Sequence, residues 1–293
     1  MQQQIKNSVI IGFGCITIIG VIVLTAYWFS RSEITLNLGV VIGVWWWDIN
    51  LDTSIYFPFC AKQNVSEIYL NASSLNSSVN TFIQDANNHN ISVYYVQSDK
   101  NLILNPTAAI DKLNEYREFN KTYPVNTFKG IIYDIDLRLF NDYEENREYY
   151  YNALLTFIDG VINNNTDIQI DFTISEQLWE DFIFQDQNQT FSAYIMDYAH
   201  RVFVKANAVT YDSMIDQAEF EILYMYYMNK TIILTLNTVD TGNEADSNIT
   251  FYDKGQHAMH QEMLYYSRVM ANNEITNYGF SIVHMKSWYD LGY

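Results

Sequence analysis

The sequence is poor in cysteine, proline, glycine and positive charge. Its 293 residues include two Cys, three Pro and eleven Gly, and 16 Lys and Arg stand against 34 Asp and Glu. Cys15 lies in an apolar N-terminal run, so Cys60 has no disulfide partner in the remainder, and cysteine usage does not identify the compartment. No proline- or glycine-rich linker divides that remainder, which favours one domain. The net charge of −18 argues against nucleic-acid binding and suits a neutral or cationic substrate.

Motifs for metals and nucleotides are also missing. The sequence has no CxxC, HExxH, GxGxxG or P-loop pattern. His257 and His260 are three residues apart on a predicted helix, a spacing more typical of a solvated helix face than of a metal site. Asp134 and Asp136 could hold Mg²⁺ or Ca²⁺ only weakly. We therefore expect no cofactor and no metal.

One long uncharged run predicts a membrane anchor. Residues 9–29 are 21 residues without charge and end in Tyr-Trp-Phe, which suits a bilayer span with an interfacial aromatic belt. No small-x-small cleavage site follows, so we expect an uncleaved signal anchor. The predicted organisation is a short cytoplasmic tail at 1–8, the anchor at 9–29, a stem at 30–39 and one domain at 40–293.

Glycosylation sequons indicate the orientation. Nine N-x-S/T triplets occur, at Asn64, Asn71, Asn76, Asn90, Asn120, Asn164, Asn188, Asn229 and Asn248. They favour a single-pass type II membrane glycoprotein with its domain on the lumenal or extracellular side. The alternative is an asparagine-rich chain whose sequons are unused.

Strand-like and helix-like segments alternate after residue 40. Eight short apolar runs rich in β-formers are predicted as strands, at 40–48, 66–72, 91–98, 130–136, 168–175, 208–213, 231–238 and 279–286. Such alternation predicts parallel strands with crossover helices, and eight units predict closure. The fold class is therefore α/β, a (β/α)8 TIM barrel preceded by a single transmembrane helix.

The segment 129–140, KGIIYDIDLRLF, is the most informative part of the chain. Asp134 and Asp136 are two residues apart, so in a strand they share a face. Buried carboxylates are costly unless they are paired or functional, and TIM-barrel sites lie at the C-terminal strand ends. Glycoside hydrolysis needs two such carboxylates. We expect Asp136 to be the acid, Asp134 to tune it, and Asp212 or Asp240 to be the partner; a purely structural D-x-D pair is the alternative.

Further polar and aromatic residues fall at predicted strand ends. The flat faces of Trp45, Trp46, Trp47 and Trp288 could form a sugar platform, although barrels also use aromatics simply for their cores. The predicted substrate-binding set is Trp45, Trp47, Asp48, Tyr211, Asn237, His284 and Trp288. Asp48 could instead cap a helix, and His284 could be a hydrogen-bonded core histidine.

Two stretches resemble a poorly characterised group of glycoside-hydrolase-like TIM barrels. GIIYDIDLR at 130–138 resembles that group's fourth strand, and ITFYDKGQHAMHQEM with GFSIVHMKSWYDL resembles its last helix and strand. The resemblance implies a barrel acting on glycans. Where it implies Glu, this chain has Asp136, and where it implies a Glu–Thr pair, this chain has Asn237 and Thr238. In the DxxDxDxE pattern of chitinase-type barrels, Arg138 takes the place of the catalytic Glu.

Three hypotheses follow. The first is a membrane-anchored glycoside hydrolase of lumenal or extracellular glycans that uses rim carboxylates. The second, motivated by Asn237, is a catalytically impaired carbohydrate-binding pseudoenzyme on the same barrel. The third is another barrel chemistry, or a surface protein without a sugar ligand.

Overall fold

The computed structural model describes residues 38–163, 165, 167–175, 189–206 and 208–292. Within them, strands and helices alternate from end to end. The strands are β1 Val41–Trp46, β2 Glu67–Asn71, β3 Ser92–Gln97, β4 Ile131–Tyr133, β5 Ile170–Ser175, β6 Arg201–Lys205, β7 Thr231–Asn237 and β8 Tyr278–Val283. The helices are α1 Thr53–Lys62, α2 Ser77–Asn88, α3 Pro106–Thr122, α4 Arg147–Asn163, α5 Phe191–Tyr198, α6 Tyr211–Tyr227, α7 Gly255–Asn272 and α8 Met285–Leu291.

The eight strands form a closed parallel barrel in sequence order. Closure is made by β1 and β8, where Val41 pairs with Gly279 and Val44 pairs with Ile282. Helices α1 to α7 each lie between consecutive strands and provide the crossovers that parallel pairing requires, and α8 follows the last strand. The prediction of an eight-stranded α/β barrel is confirmed.

Local sequence signals explain where several helices begin. Asn105 caps α3 by accepting a hydrogen bond from the Ala108 amide at 3.1 Å, and Pro106 occupies the first helical position. Asn76 caps α2 in the same way, through the Ser78 amide. Helix α4 begins at Arg147, and Asp142 before it accepts a hydrogen bond from the Tyr150 hydroxyl at 2.6 Å.

The main hydrophobic core lies between the strands and the helices. Trp46 points outward from β1 and packs edge-on against Phe82 of α2, with ring centroids 5.0 Å apart. Phe57 of α1 lies 5.4 Å from the same indole. All three side chains are almost completely buried, so the outer face of β1 is anchored by aromatic contacts.

Three strand predictions need correction. The sixth strand is Arg201–Lys205, not 208–213, because helix α6 already begins at Tyr211. The fourth strand ends at Tyr133, so Asp134 and Asp136 follow it in a loop instead of extending it. The eighth strand ends at Val283, and His284 joins it through a cis peptide bond.

Residues 9–29, the predicted anchor, lie outside the described residues, as do the tail, the stem up to residue 37, and the sequons at Asn164 and Asn188. Among the described residues, no helix combines the length and the apolar character that a membrane crossing needs.

Candidate functional site

The barrel interior is filled by side chains that alternate with the outward-facing core residues. Trp45, Tyr69 and Phe203 form its aromatic centre, with ring centroids 4.8–5.6 Å apart. The remaining members of this interior cluster are Tyr94, Val96, Ile132 and Ile233. Side chains along each strand point alternately into the barrel and out toward the helices. The inward-facing side chains at the C-terminal ends of the strands, beyond the aromatic centre, surround the opening of the barrel, which we call the mouth.

Below the aromatic centre lies a buried group of charges, Glu67, Asp171 and Arg201, which we call the interior ion cluster. The Arg201 guanidinium lies 2.8 Å from a Glu67 oxygen and 2.9 Å from an Asp171 oxygen. It also lies 4.4 Å from the centroid of the Tyr94 ring. Burial raises the pKa of Asp171, against the opposing effect of Arg201.

Gly43 on β1 makes room for this arrangement. A Cβ atom at Gly43 would lie 2.1 Å from the Tyr69 hydroxyl oxygen. That hydroxyl donates a 3.0 Å hydrogen bond to Glu67. The missing side chain at Gly43 therefore lets Tyr69 reach the interior ion cluster.

Asp134 lies at the mouth, immediately after β4. Its side chain is only 9% exposed and forms an ion pair with Lys205, the last residue of β6. The Thr173 hydroxyl of β5 donates a 2.8 Å hydrogen bond to the same carboxylate oxygen. Three neighbouring strands thus position one carboxylate and one ammonium group at the opening of the barrel.

Asp136 has a different set of partners. It caps the short 3-10 turn Leu137–Leu139 through the Arg138 amide and binds the Arg138 guanidinium with two contacts of 2.9 and 2.8 Å. Burial alone would raise its pKa, but the hydrogen bonds and charge of Arg138, with the charge of Lys205, lower it overall. Asp136 is therefore ionised at neutral pH.

Stacked indoles stand at the β1 side of the mouth. The rings of Trp45 and Trp47 are 5.7 Å apart and nearly parallel, at 11°. Trp45 is buried, whereas Trp47 is 38% exposed. Trp45 Nε1 is buried and has no hydrogen-bond partner in the described part of the chain. On the adjacent strands, Asn71 donates a 2.8 Å hydrogen bond to the Ser98 hydroxyl.

Two other predicted site residues serve turns beside the mouth. Asn237 ends β7, and its side-chain oxygen accepts a 2.9 Å hydrogen bond from the Val239 amide. Asp48 is exposed and accepts hydrogen bonds from both the backbone and the side chain of Asn50. Each side chain therefore shapes the loop that follows its strand.

The structure places four predicted residues in the surrounding helices. Tyr211 opens α6 and packs on Tyr265 of α7, with ring centroids 5.0 Å apart, and Asp212 is exposed beside it. His284 caps α8 by accepting from the Ser287 amide at 3.4 Å, and burial followed by the charge of Lys286 lowers its pKa.

Trp288 completes this second group. It is 0% exposed and packs edge-on against Phe59 of α1, with ring centroids 5.2 Å apart. In this packing its ring faces protein atoms, so it offers no surface to a ligand. The expected platform of four tryptophans is reduced to the Trp45–Trp47 pair.

Lys205 and Thr173 were missed from the sequence. Lys205 lies in β6, a segment that was predicted as neither strand nor helix, and Thr173 had no charge to mark it. The pattern RVFVK could have identified Lys205, because three β-forming residues lie between Arg201 and Lys205, and these two residues would share one face of a strand. In the described ranges, no group of three or more His, Cys, Asp or Glu is arranged to hold a metal ion.

Comparison with known proteins reveals a relation in fold. No protein-family model matches the chain, and no curated protein matches it. Among solved structures, the C-terminal domain of a predicted chitinase from Desulfitobacterium hafniense DCB-2 is 11% identical with a TM-score of 0.56, covering 86% of this chain and 95% of that one. A family GH18 chitinase from Cycas revoluta, bound to allosamidin, is 9% identical with a TM-score of 0.54, covering 86% and 97%.

This chain shares its (β/α)8 barrel fold with these chitinases. A variant of the Cycas revoluta chitinase in complex with (GlcNAc)4 aligns with a TM-score of 0.52. The resemblance noted in the sequence is thus matched by the fold of the barrel. At 9–11% identity, the relation concerns the fold and not the individual side chains.

Proposed function

We propose that this protein binds a carbohydrate at the mouth of its barrel and acts on it as a glycoside-hydrolase-like protein. The observation that carries the proposal is the stacked Trp45–Trp47 pair at the mouth. An exposed indole face suits the apolar face of a sugar ring, and Asp134 with Lys205 supplies hydrogen-bonding groups for its hydroxyls. The fold shared with a (GlcNAc)4-bound chitinase supports the same ligand class.

Hydrolysis by rim carboxylates is the first form of this function. Asp134 and Asp136 both follow β4, where the C-terminal strand ends of a barrel build active sites. Because its pKa is lowered, Asp136 suits stabilisation of a developing oxocarbenium charge better than proton donation. The expectation of Asp136 as the acid is therefore replaced by a role as an anion.

Binding without hydrolysis is the second form. It is supported by one specific arrangement, since Asp134 is paired with Lys205 and Asp136 with Arg138. Arg138 also takes the place of the catalytic Glu of the chitinase pattern. The two chitinases that share the fold are glycoside hydrolases and do not favour this alternative, so turnover must decide between the two forms.

We further propose that residues 9–29 anchor the protein as a type II membrane protein with its barrel on the lumenal or extracellular side. The uncharged run of 21 residues and the number of sequons support this arrangement. Protease protection of the barrel in sealed microsomes tests it, because a cytoplasmic barrel would be digested.

The function is tested with the full chain produced in a eukaryotic secretory host and offered a panel of neutral oligosaccharides that includes chitooligosaccharides. Tryptophan fluorescence reports binding, and mass spectrometry reports product. Trp47→Ala should weaken binding by about 1 kcal/mol or more, roughly fivefold in Kd. Asp134→Asn should abolish turnover, whereas Asp111→Asn, an exposed α3 control, should change neither reading.

Each outcome has a distinct meaning. Product from the wild type but not from Asp134→Asn establishes the hydrolase. Saturable binding without product, weakened by Trp47→Ala, establishes the binding protein. Neither binding nor product from the folded chain would refute the proposed function.

A further inference from the structure

The sequons differ sharply in their structural setting. Asn64, Asn90 and Asn229 lie in the turns that lead from helices α1, α2 and α6 into strands β2, β3 and β7. Their φ angles are 53°, 60° and 52°, in the left-handed region. All three are exposed. A fourth turn of the same kind, between α7 and β8, has Glu274 at the corresponding position with φ of 61°.

These four turns share one hydrogen-bond pattern. In each, the amide of the left-handed residue donates to the carbonyl three residues before it, and the next amide donates to the carbonyl five residues before it. This is the Schellman ending of a helix, which favours Gly or Asn at the left-handed position. After each of the three Asn turns the strand begins within three residues, so a Ser or Thr two residues after the Asn suits both the β-strand and the sequon.

Sequons at Asn71 and Asn120 are in a closed setting. The side chain of Asn120 makes two hydrogen bonds with the backbone of Phe128: it donates to the carbonyl at 3.2 Å and accepts from the amide at 2.9 Å. The Asn71 nitrogen donates to the Ser98 hydroxyl at the mouth. Both side chains are only partly exposed, so a glycan on either nitrogen would have to displace these contacts.

On the basis of the proposed lumenal or extracellular barrel, we propose that the turns at Asn64, Asn90 and Asn229 carry N-linked glycans and that Asn71 and Asn120 do not. In this reaction the Asn amide nitrogen displaces a lipid diphosphate from the anomeric carbon of an activated oligosaccharide, forms the C–N bond and loses a proton. At Asn229 the side-chain oxygen accepts from Asn277 at 2.9 Å, a contact that leaves the nitrogen for the sugar.

The arrangement defines a glycan-bearing face. Strands β7, β8, β1, β2 and β3 are consecutive around the barrel, and all four turns lie at the N-terminal ends of this arc. The mouth is at the opposite ends of the same strands. Glycans on these turns would therefore cover the face remote from the proposed carbohydrate site, while an unmodified Asn71 would keep the mouth open.

Site mapping tests the proposal directly. The full chain from a eukaryotic secretory host is treated with peptide N-glycosidase in ¹⁸O water, which marks each formerly glycosylated Asn as labelled Asp in peptide mass spectra. We expect the label at Asn64, Asn90 and Asn229. Label at Asn71 or Asn120 in folded protein, or none at the three turns, would overturn the proposal.

Glu274 supplies a designed gain-of-site test, because Glu274-Ile275-Thr276 already has the third residue of a sequon. Glu274→Asn should add one glycan, seen as one extra mobility step that the glycosidase removes. The control combines Glu274→Asn with Thr276→Ala, which keeps the turn residue but removes the sequon and should add no step. If Glu274→Asn stays unmodified while the host glycosylates other proteins, an open Schellman turn is not sufficient and the inference fails.

Discussion

Arg201 is the residue whose replacement should damage the fold most. It is the cation of the interior ion cluster, and its side chain is 10% exposed, as is that of Glu67, while that of Asp171 is 0% exposed. Arg201→Met keeps most of the volume but removes the charge. It therefore leaves two carboxylates inside the barrel without the cation that compensates them.

The expected loss of stability in Arg201→Met follows from the burial of the interior ion cluster. Removing one partner of a buried ion pair costs about 3–5 kcal/mol, because a buried charge is left uncompensated. For a domain of this size each kcal/mol lowers Tm by about 2–4 °C, so we expect a decrease of roughly 6–20 °C. This loss is large compared with a typical total stability of about 5–15 kcal/mol.

The loss should depend on pH in a definite direction. In the variant the pKa of Asp171, already raised by burial, rises further because the nearby positive charge is gone. The folded state then holds a proton that the unfolded chain has released, so stability falls as pH rises through the folded-state pKa. The deficit should be largest at neutral pH and should shrink in acid.

Thermal unfolding followed by near-UV circular dichroism measures the effect. The matched control is Arg138→Met, which removes an arginine from the more exposed pair with Asp136 and should cost at most about 1 kcal/mol. Adding Glu67→Gln and Asp171→Asn to Arg201→Met should recover much of the stability, since no buried charge remains. If Arg201→Met unfolds at the same temperature as Arg138→Met, the reasoning is refuted.

Three further predictions concern packing, pH and capping. Gly43→Ala should destabilise the protein by about 1–3 kcal/mol, because the added methyl group clashes with the Tyr69 hydroxyl. Gly160→Ala has open space around it in helix α4 and should stabilise the protein by about 0.5–1 kcal/mol. Denaturant titrations measure both changes. His260 is buried, and desolvation followed by the charge of His257 lowers its pKa to about 4. The stability of the folded protein should therefore fall as the pH drops from 6.5 toward 4. In melting curves recorded across this pH range, His260→Leu should make the fall in stability smaller. Asn105→Ala should lose about 1 kcal/mol with the α3 cap, and an unchanged melting temperature would contradict this.

Much of the fold could be predicted because apolar runs mark most of the strands. Seven of the eight predicted strands overlap the observed ones. The exception is β6, where Arg201 and Lys205 interrupt the apolar character that identifies a buried strand. Both charged side chains face the interior of the barrel. Burying a charge is costly, so a segment with charged residues at inward positions is not recognised as a buried strand from its sequence.

The site was harder to predict because it depends on pairing across strands. Asp134 was predicted within the end of the fourth strand and lies directly after it, but its partners Lys205 and Thr173 come from segments 39–71 residues away. His260 shows the same difficulty, since its helix was predicted but its burial was not. Trp47 and Trp288 look alike in the sequence, and only packing distinguishes an exposed ring from a completely buried one.

The filled interior of the barrel has a kinetic consequence. The aromatic centre and the interior ion cluster beneath it are both almost completely buried, so their side chains fill the barrel and leave no passage along its axis. A molecule that enters the mouth must leave by the same opening. A polymer can therefore be engaged only by its end or laid across the rim, never threaded through, and any product formed there would compete with the next substrate until it departs.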